Sequence, residues 1–425
     1  MYRIQDSGAL VSAHRTLLRP RTGERRLVSR TVVLLGVTSL LTDISAEMVA
    51  TVLPLYLVYV AGLTPLQFGL IDGFYRGAAA LVGLVSGFAA DRRRRHKEIA
   101  SVGYGLSAAC KLALVGVGGA VGAIGAIVML DRIGKGIRTA PRDALISLSS
   151  SREGLGTAFG VHRAMDTVGA MLGPLIAFGL LALAPLAFES VFLVSFCFAL
   201  AGLGVIVLLV PSKTAPAASA PTPTPTPSLR GATRLLVIPR FGGLVVAAVL
   251  LGVATISDAF LYLALQRHLD LPPSAFPLLF VGASLSFMLL AVPLGRLADR
   301  VGRGRVFLAG YALLLPVYAL LFLPPVGLLV LVLGLGLVGA SYAATDGVLA
   351  ALGSAALPEE VRASGLAVLT TATNLARFAA SLAFGALWTF AGLQTAVLAC
   401  GIALTIAIAA SGLVMLRVRE APAGA

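Results

Sequence analysis

The 425 residues are 58% hydrophobic and 12% charged, with a mean hydropathy of +0.95; soluble globular domains carry about 25% charged residues, so this composition excludes one. The formal net charge is +14, but the basic residues form short clusters and no soluble basic face interleaved with aromatics, which argues against nucleic acid as a partner. Cys110, Cys197 and Cys400 all fall in apolar stretches without metal-ligand spacing, so no disulfide framework, metal site or cofactor is expected.

A bilayer core about 30 Å thick needs roughly 20 apolar residues per helix. Residues 1–30 form a basic tail with no small-residue cleavage site before the first long apolar run, unlike a removable signal. Six spans are predicted in residues 31–210, near 32–59, 66–90, 98–119, 121–146, 156–182 and 187–210. Residues 211–240 are a linker in which Pro221-Thr-Pro-Thr-Pro-Thr-Pro227 favours extended polyproline backbone with no packed core. Six more spans follow in 241–416, near 241–265, 274–298, 305–323, 326–352, 361–389 and 392–416, and residues 417–425 form a short tail.

The halves repeat. Gly87-Phe-Ala-Ala-Asp91-Arg92 returns as Gly295-Arg-Leu-Ala-Asp299-Arg300, and the offset of 207–208 also relates Pro65 to Pro273, Phe68 to Phe276, and Gly160, Gly169 and Gly173 to Ala367, Ala376 and Ala380. Such repetition marks a transporter built around a pseudo-symmetry axis. Arginines cluster in the N-terminal tail, at Arg92 to Arg95, at Arg230, Arg234 and Arg240, at Arg300, Arg303 and Arg305, and at Arg417 and Arg419. The alternate connections near 61–65, 117–122, 183–189, 324–327 and 390–394 carry none. The positive-inside rule then places both termini and the linker in the cytoplasm.

Gly295-x-x-x-Asp299-Arg300-x-Gly302-Arg303 resembles the loop motif of the major facilitator superfamily; the first copy departs from it at Arg94, where the inner glycine is expected. Asp43 followed by Leu53-Pro54-Leu55-Tyr56 resembles the first-span motif of the drug–proton antiporter branch, and Arg132-x-x-x-Gly136 its fourth-span motif. Gly160-x8-Gly169-x3-Gly173-Pro174 is similar to the first part of that branch's fifth-span motif, without the closing glycine pair. The resemblance spans about Val32 to Leu416. It implies an all-α membrane protein with twelve transmembrane helices in two pseudo-symmetric six-helix bundles, the major facilitator fold. It also implies that Gly160, Gly169, Gly173 and Pro174 seal the contact between halves, and that Gly87, Asp91, Arg92, Gly295, Asp299 and Arg300 act in gating.

Each ionised residue at mid-bilayer costs about 2.5–3.5 kcal/mol on insertion scales, so it faces a cavity or a partner. In the fourth span Arg132, Lys135, Arg138 and Arg142 are spaced 3, 3 and 4 apart and share one broad helical face beside Asp131 and Asp143. Either Asp131, Asp143 or Glu47 neutralises this stripe, or Arg132 and Lys135 line a cavity and attract an anionic substrate. Asp43 and Glu47 share a face of the first span; two carboxylates so close do not both ionise cheaply, which suits a proton carrier, while a static Glu47–Arg132 bridge is the alternative. His162 and Asp166, one turn apart in the fifth span, form either a second proton-handling pair or an entrance network. Asp72 and Arg76 are expected to pair with each other. Asp258, Asp346 and Arg377 are the intramembrane charges of the second half and are assigned, with Asp131, to the substrate cavity.

These readings predict a secondary active transporter in the cytoplasmic membrane of a bacterium, acting as a monomer in the lipid bilayer and exchanging protons for an exported small organic, possibly anionic, molecule. Proton symport or anion exchange importing a carboxylate or phosphorylated compound is the alternative. A membrane enzyme or sensor is the remote one: no His-Glu-x-x-His, Gly-x-Ser-x-Gly or phosphate-loop motif is present.

Overall fold

The computed structural model describes residues 29–75, 95–150, 155–211, 235–324, 327–358 and 361–420. The first half contains α1 (Arg30–Tyr59), α2 (65–75), α3 (His96–Gly116), α4 (Val121–Leu148), α5 (Leu155–Leu183) and α6 (Phe188–Gly204). The second contains α7 (Pro239–Ala254), α8 (Asp258–His268), α9 (Phe276–Val301), α10 (Arg303–Ala312), α11 (Leu314–Leu320), α12 (Gly327–Ala355), α13 (Arg362–Ala391) and α14 (Leu393–Glu420). The pairs α7–α8 and α10–α11 are the two pieces of the seventh and ninth spans, so the elements make twelve helices in two halves. Among the described residues, ten of the spans are long and apolar enough to cross a membrane. The other two are α2 and the charge-bearing α4.

Many large apolar side chains face outward, among them Leu183, Leu208, Leu289, Leu328, Phe390 and Ile406, each more than half exposed. Lipid, not water, is the solvent that such a surface fits. Inside each half, α1 packs on α5 and α6, α3 on α4, α9 on α12, and α7 on α14. Ser45 and Ser195 hydrogen-bond between α1 and α6 at 2.9 Å, a polar tie suited to a medium that offers no competing water. At the arginine-rich end α6 passes into a π turn (Val205–Leu209), and the Lys97 ammonium caps it by donating to the carbonyls of Val207 (2.9 Å) and Val210 (2.7 Å).

The described hydrogen bonds and ring contacts between halves all lie toward the arginine-poor end. There α2 runs along α13: the Leu66 amide donates to Thr389 Oγ1 (2.9 Å), and the Ser381 hydroxyl donates to the Asp72 carboxylate. A Cβ added at Gly385 would meet the Pro65 carbonyl oxygen at 2.5 Å and one at Gly73 would meet the Phe378 ring at 2.6 Å, so the two backbones nearly touch. Around this seam Phe68, Phe260, Phe384 and Trp388 pack mostly edge to face with centroids 4.8–5.8 Å apart. Asp72 thus faces the other half; Arg76, its expected partner, lies outside the described residues.

Candidate functional site: two walls of polar groups inside the bundle

The first wall is built by α4 lying unusually close to α3. A Cβ at Gly103 would stand 2.7 Å from the Gly134 carbonyl oxygen, and one at Gly134 would stand 2.8 Å from Ser107 Oγ. That approach lets α3 supply partners for the α4 charges. The Asp131 carboxylate receives both the Lys111 ammonium and the Arg132 guanidinium, and the three groups are largely buried. Arg132 also lies 4.0 Å above the Tyr75 ring. Arg138 lies 4.7 Å over Tyr104 and 3.9 Å from the Asp43 carboxylate. Arg142 binds Asp143 (2.9 Å) and donates to Ser39 Oγ (3.2 Å). Lys135 makes no salt bridge among the described residues; it stands within electrostatic reach of Glu47 and Asp43.

The geometry therefore separates two groups that the sequence treats alike. Arg132 is neutralised by Asp131, the neighbour in its own helix, and not by a Glu47 bridge. Lys135, half-buried, has no such ion pair among the described residues and lies within electrostatic reach of Glu47.

α5 fixes the two first-span carboxylates. A Cβ at Gly169 would meet the Leu40 carbonyl oxygen at 2.6 Å and Asp43 Cβ at 3.2 Å; one at Gly173 would meet the Ile44 carbonyl oxygen at 2.7 Å and Glu47 Cβ at 2.9 Å. The small-x-x-x-small face thus seats α5 on α1 within one half, directly beneath the stems of Asp43 and Glu47. The resemblance had implied that these glycines face the other half; Gly160 meets nothing within 4 Å. Further along α5, buried His162 lies 3.6 Å from Asp166 and 3.5 Å from Ser39 Oγ, joining the Arg142 cluster. His162 Nδ1 and Asp166 Oδ1 are buried without a hydrogen-bond partner among the described residues.

The second wall is formed where the seventh span breaks. α7 ends at Ala254, Thr255 and Ser257 are extended (ψ 132° and 152°), and α8 begins at Asp258 with Ser257 as its N-cap. The released Ile256 amide donates to the Tyr318 hydroxyl (3.0 Å), and Thr255 Oγ1 donates to the Leu251 carbonyl (2.7 Å). Asp258 accepts from the Tyr342 hydroxyl, and Arg377 pairs with Asp346 at 3.5 Å. A cavity of about 50 Å³ opens here among Thr255, Asp258, Tyr311, Ser341, Tyr342 and Arg377.

Of the gating residues, Gly87, Asp91 and Arg92 lie outside the described residues. Gly295 meets nothing within 4 Å, and Asp299 pairs with Arg303 one turn on, at 2.8 Å, on the surface beside exposed Arg300. Sequence reasoning missed the helix break, Lys111 as the second partner of Asp131, and the rings of Tyr75, Tyr104, Tyr311 and Tyr342. Only the break left a local sign: Ser257-Asp258 is a helix-start pair inside an apolar run.

A two-halved bundle of apolar helices long enough to cross a bilayer, with charged groups gathered between them, defines a multi-pass membrane protein. The chain belongs to the Major Facilitator Superfamily, which it matches over residues 35–276 and 243–425. It is 29% identical over 383 residues to an uncharacterized MFS-type transporter of Methanocaldococcus jannaschii, covering 88% of this chain and 92% of that protein. Its fold is similar to that of the nucleoside transporter NupG (TM-score 0.74, 14% identity, 93% of this chain and 100% of that one). It is equally similar to a bacterial homolog of the human lysosomal transporter Spinster in an inward-facing, unoccupied conformation (TM-score 0.73, 18% identity, 94% and 100%). The protein is accordingly a secondary transporter of the major facilitator kind, working in the lipid bilayer on a small-molecule substrate.

Proposed function

We propose that the protein is a proton-coupled antiporter that exports a small organic molecule bearing an anionic group, by alternating access between its halves. The observation that carries this reading is the loose Asp43–Arg138 pair, at 3.9 Å, on the same wall as Lys135 and Glu47. The loose pair leaves the Asp43 carboxylate open either to a proton or to a hydrogen-bond donor of the substrate, whose anionic group is drawn to Lys135. Protonation of Asp43 removes the negative charge that holds the donor and releases the substrate; loss of the proton restores it. Proton and substrate thus exclude each other at one carboxylate, which is the physical requirement for antiport. His162 and Asp166, adjoining through Ser39 and Arg142, offer a route for the proton.

The seam at the arginine-poor end supports a cycle in which α2 and α13 part to open that side. With the arginine-rich end cytoplasmic, as the charge distribution supports, the described conformation faces inward. Localisation in a plasma membrane and action as a monomer accompany this reading, and the drug–proton antiporter motifs in the first, fourth and fifth spans favour export. Anion exchange or symport is the second reading, favoured by the four cations aligned on α4.

The test is Asp43→Asn in reconstituted vesicles. The variant is expected to retain substrate counterflow, which needs no proton, while losing uphill transport driven by a pH gradient. Unimpaired uphill transport would remove Asp43 from the mechanism.

A further inference from the structure

One cation breaks the pattern of the arginine-poor end. Of the connections there, near 61–65, 117–122, 183–189, 266–275, 324–327 and 390–394, only 266–275 holds an arginine or lysine, Arg267 in the last turn of α8. Arg267 is exposed and forms no ion pair among the described residues; its guanidinium lies 5.3 Å over the Trp388 ring. With His268 it lines a cavity of about 180 Å³ between the end of α8, the end of α11 and the start of α14.

Donors gather in this cavity and acceptors do not. Among the described residues no carboxylate lines it. The closing carbonyls of α8 are already occupied: those of Leu265, Gln266 and Arg267 accept from the amides of Leu269, Leu271 and Asp270, at 3.0, 3.0 and 3.4 Å. On the facing side Gly392 (φ +84°) turns the chain, and α14 starts at Leu393 with no acidic residue in its first turn. The first amides of that helix have no helical acceptor and form the positive end of its dipole. Gln394, on the same turn, lines the cavity, and His268 Nε2 is buried without a hydrogen-bond partner among the described residues. A guanidinium, an imidazole and a carboxamide beside an open helix start suit an anion with several acceptor oxygens, as a phosphate has.

The rest of the wall indicates what carries that anion. Leu321, Phe322, Leu393 and Val397 complete the lining. Phe322 and its neighbour Leu323 are exposed, as is Leu398, one turn beyond Gln394. A small hydrated anion gains nothing from such a rim, whereas an acyl chain buries apolar surface along it.

We infer that this cavity holds the phosphate of a phospholipid in the leaflet at the arginine-poor end. The phosphate sits on Arg267 and the start of α14, and the acyl chains run along Phe322, Leu323 and Leu398. A basic pocket between membrane helices is a lipid-recognition device of this kind. The inference stands apart from the transported substrate and from the proton mechanism.

The test titrates purified full-length protein in detergent with three probes. They are dioctanoyl phosphatidylglycerol, dioctanoylglycerol, which lacks the phosphate, and glycerol 3-phosphate, which lacks the chains. Binding is read by thermal stabilisation and by emission of Trp388, the single tryptophan, whose ring senses the charge held above it. The phosphatidylglycerol is expected to bind and shift the emission, with the other two weaker by about tenfold or more. Arg267→Gln is expected to weaken it by about tenfold or more, as loss of a charged hydrogen bond does. Arg305→Gln, an exposed arginine at the opposite end, is expected to leave binding unchanged. Equal binding of dioctanoylglycerol overturns the inference by removing the phosphate. Equal binding of glycerol 3-phosphate overturns it by removing the lipid, and marks a site for a solute anion. Equal losses in the two arginine variants, or none in Arg267→Gln, overturn it as unspecific attraction to charge.

Discussion

The two halves share a scaffold and differ in how they hold charge. In the first half α5 sits on α1 through Gly169 and Gly173; in the second, Ala376 of α13 stands 3.1 Å from where a Cβ at Gly252 of α7 would be. The contact is the same, small residue against neighbouring backbone, at positions related by the internal repeat. What each contact supports is different. The first half packs Lys111, Asp131, Arg132, Arg138, Arg142 and Asp143 into a dense network between continuous helices. The second carries few charges, breaks its seventh span, and lines the gap with hydroxyls. A duplicated frame therefore lets the two halves hold charge differently, because helix packing constrains only the small residues at the seams.

The sharpest way to break this comparison is to unbalance a charge on each side. Asp131→Ala leaves the Lys111 and Arg132 cations buried without their anion, and is expected to cost about 3–5 kcal/mol of stability, seen as a lowered unfolding temperature in detergent. Adding Lys111→Met is expected to recover part of that loss. The matching change in the second half, Asp346→Ala, is expected to cost under about 1 kcal/mol, since Asp346 and Arg377 are 54% and 39% exposed. Comparable losses in the two variants would contradict the contrast.

Removing one inter-half bond tests the seam. Ser381→Ala deletes the donor to Asp72, a hydrogen bond to a charged group and so about 1.5–3 kcal/mol of the sealed state. The population is expected to shift about tenfold or more toward opening at the arginine-poor end. Trp388 is the single tryptophan of the chain and sits in that seam, so its emission reports the shift. Emission indistinguishable from the unsubstituted protein would count against the seam as a gate.

The α1–α5 seat is the next target. Gly173→Ala forces a Cβ against the Ile44 carbonyl oxygen and the stem of Glu47, which is expected to cost about 1–3 kcal/mol. Gly160→Ala, facing open space, is expected to cost nothing measurable. At the bottom of the scale, Arg303→Ala removes an exposed pair with Asp299 and is expected to change stability by less than about 1 kcal/mol. A large fall in transport rate with stability intact would then assign the pair to the conformational cycle.

The places of the spans were legible because runs of about 20 apolar residues admit few alternatives in a bilayer. The predicted first span, 32–59, is α1 (Arg30–Tyr59), and the predicted eleventh, 361–389, is α13 (Arg362–Ala391). The break at Thr255–Ser257 was not legible from hydropathy, because Thr and Ile keep the run apolar whether or not the helix continues. Which anion takes which cation was also hidden. That depends on how α4 is rotated against α3, and Gly103 and Gly134 set the rotation through a contact with no charge in it. The glycines of α5 announced a close seam, but only packing tells that the seam is α1, under Asp43 and Glu47.

The central claim is that proton and substrate exchange through the first-half charges. The most direct measurement loads vesicles containing the protein with a pH-sensitive dye and a transported organic anion, then dilutes them into substrate-free buffer with no imposed proton gradient. Protein inserted in either orientation is predicted to acidify the lumen as substrate leaves, with Asp43→Asn abolishing the signal. Efflux with no change in luminal pH, or with alkalinisation, would contradict the account.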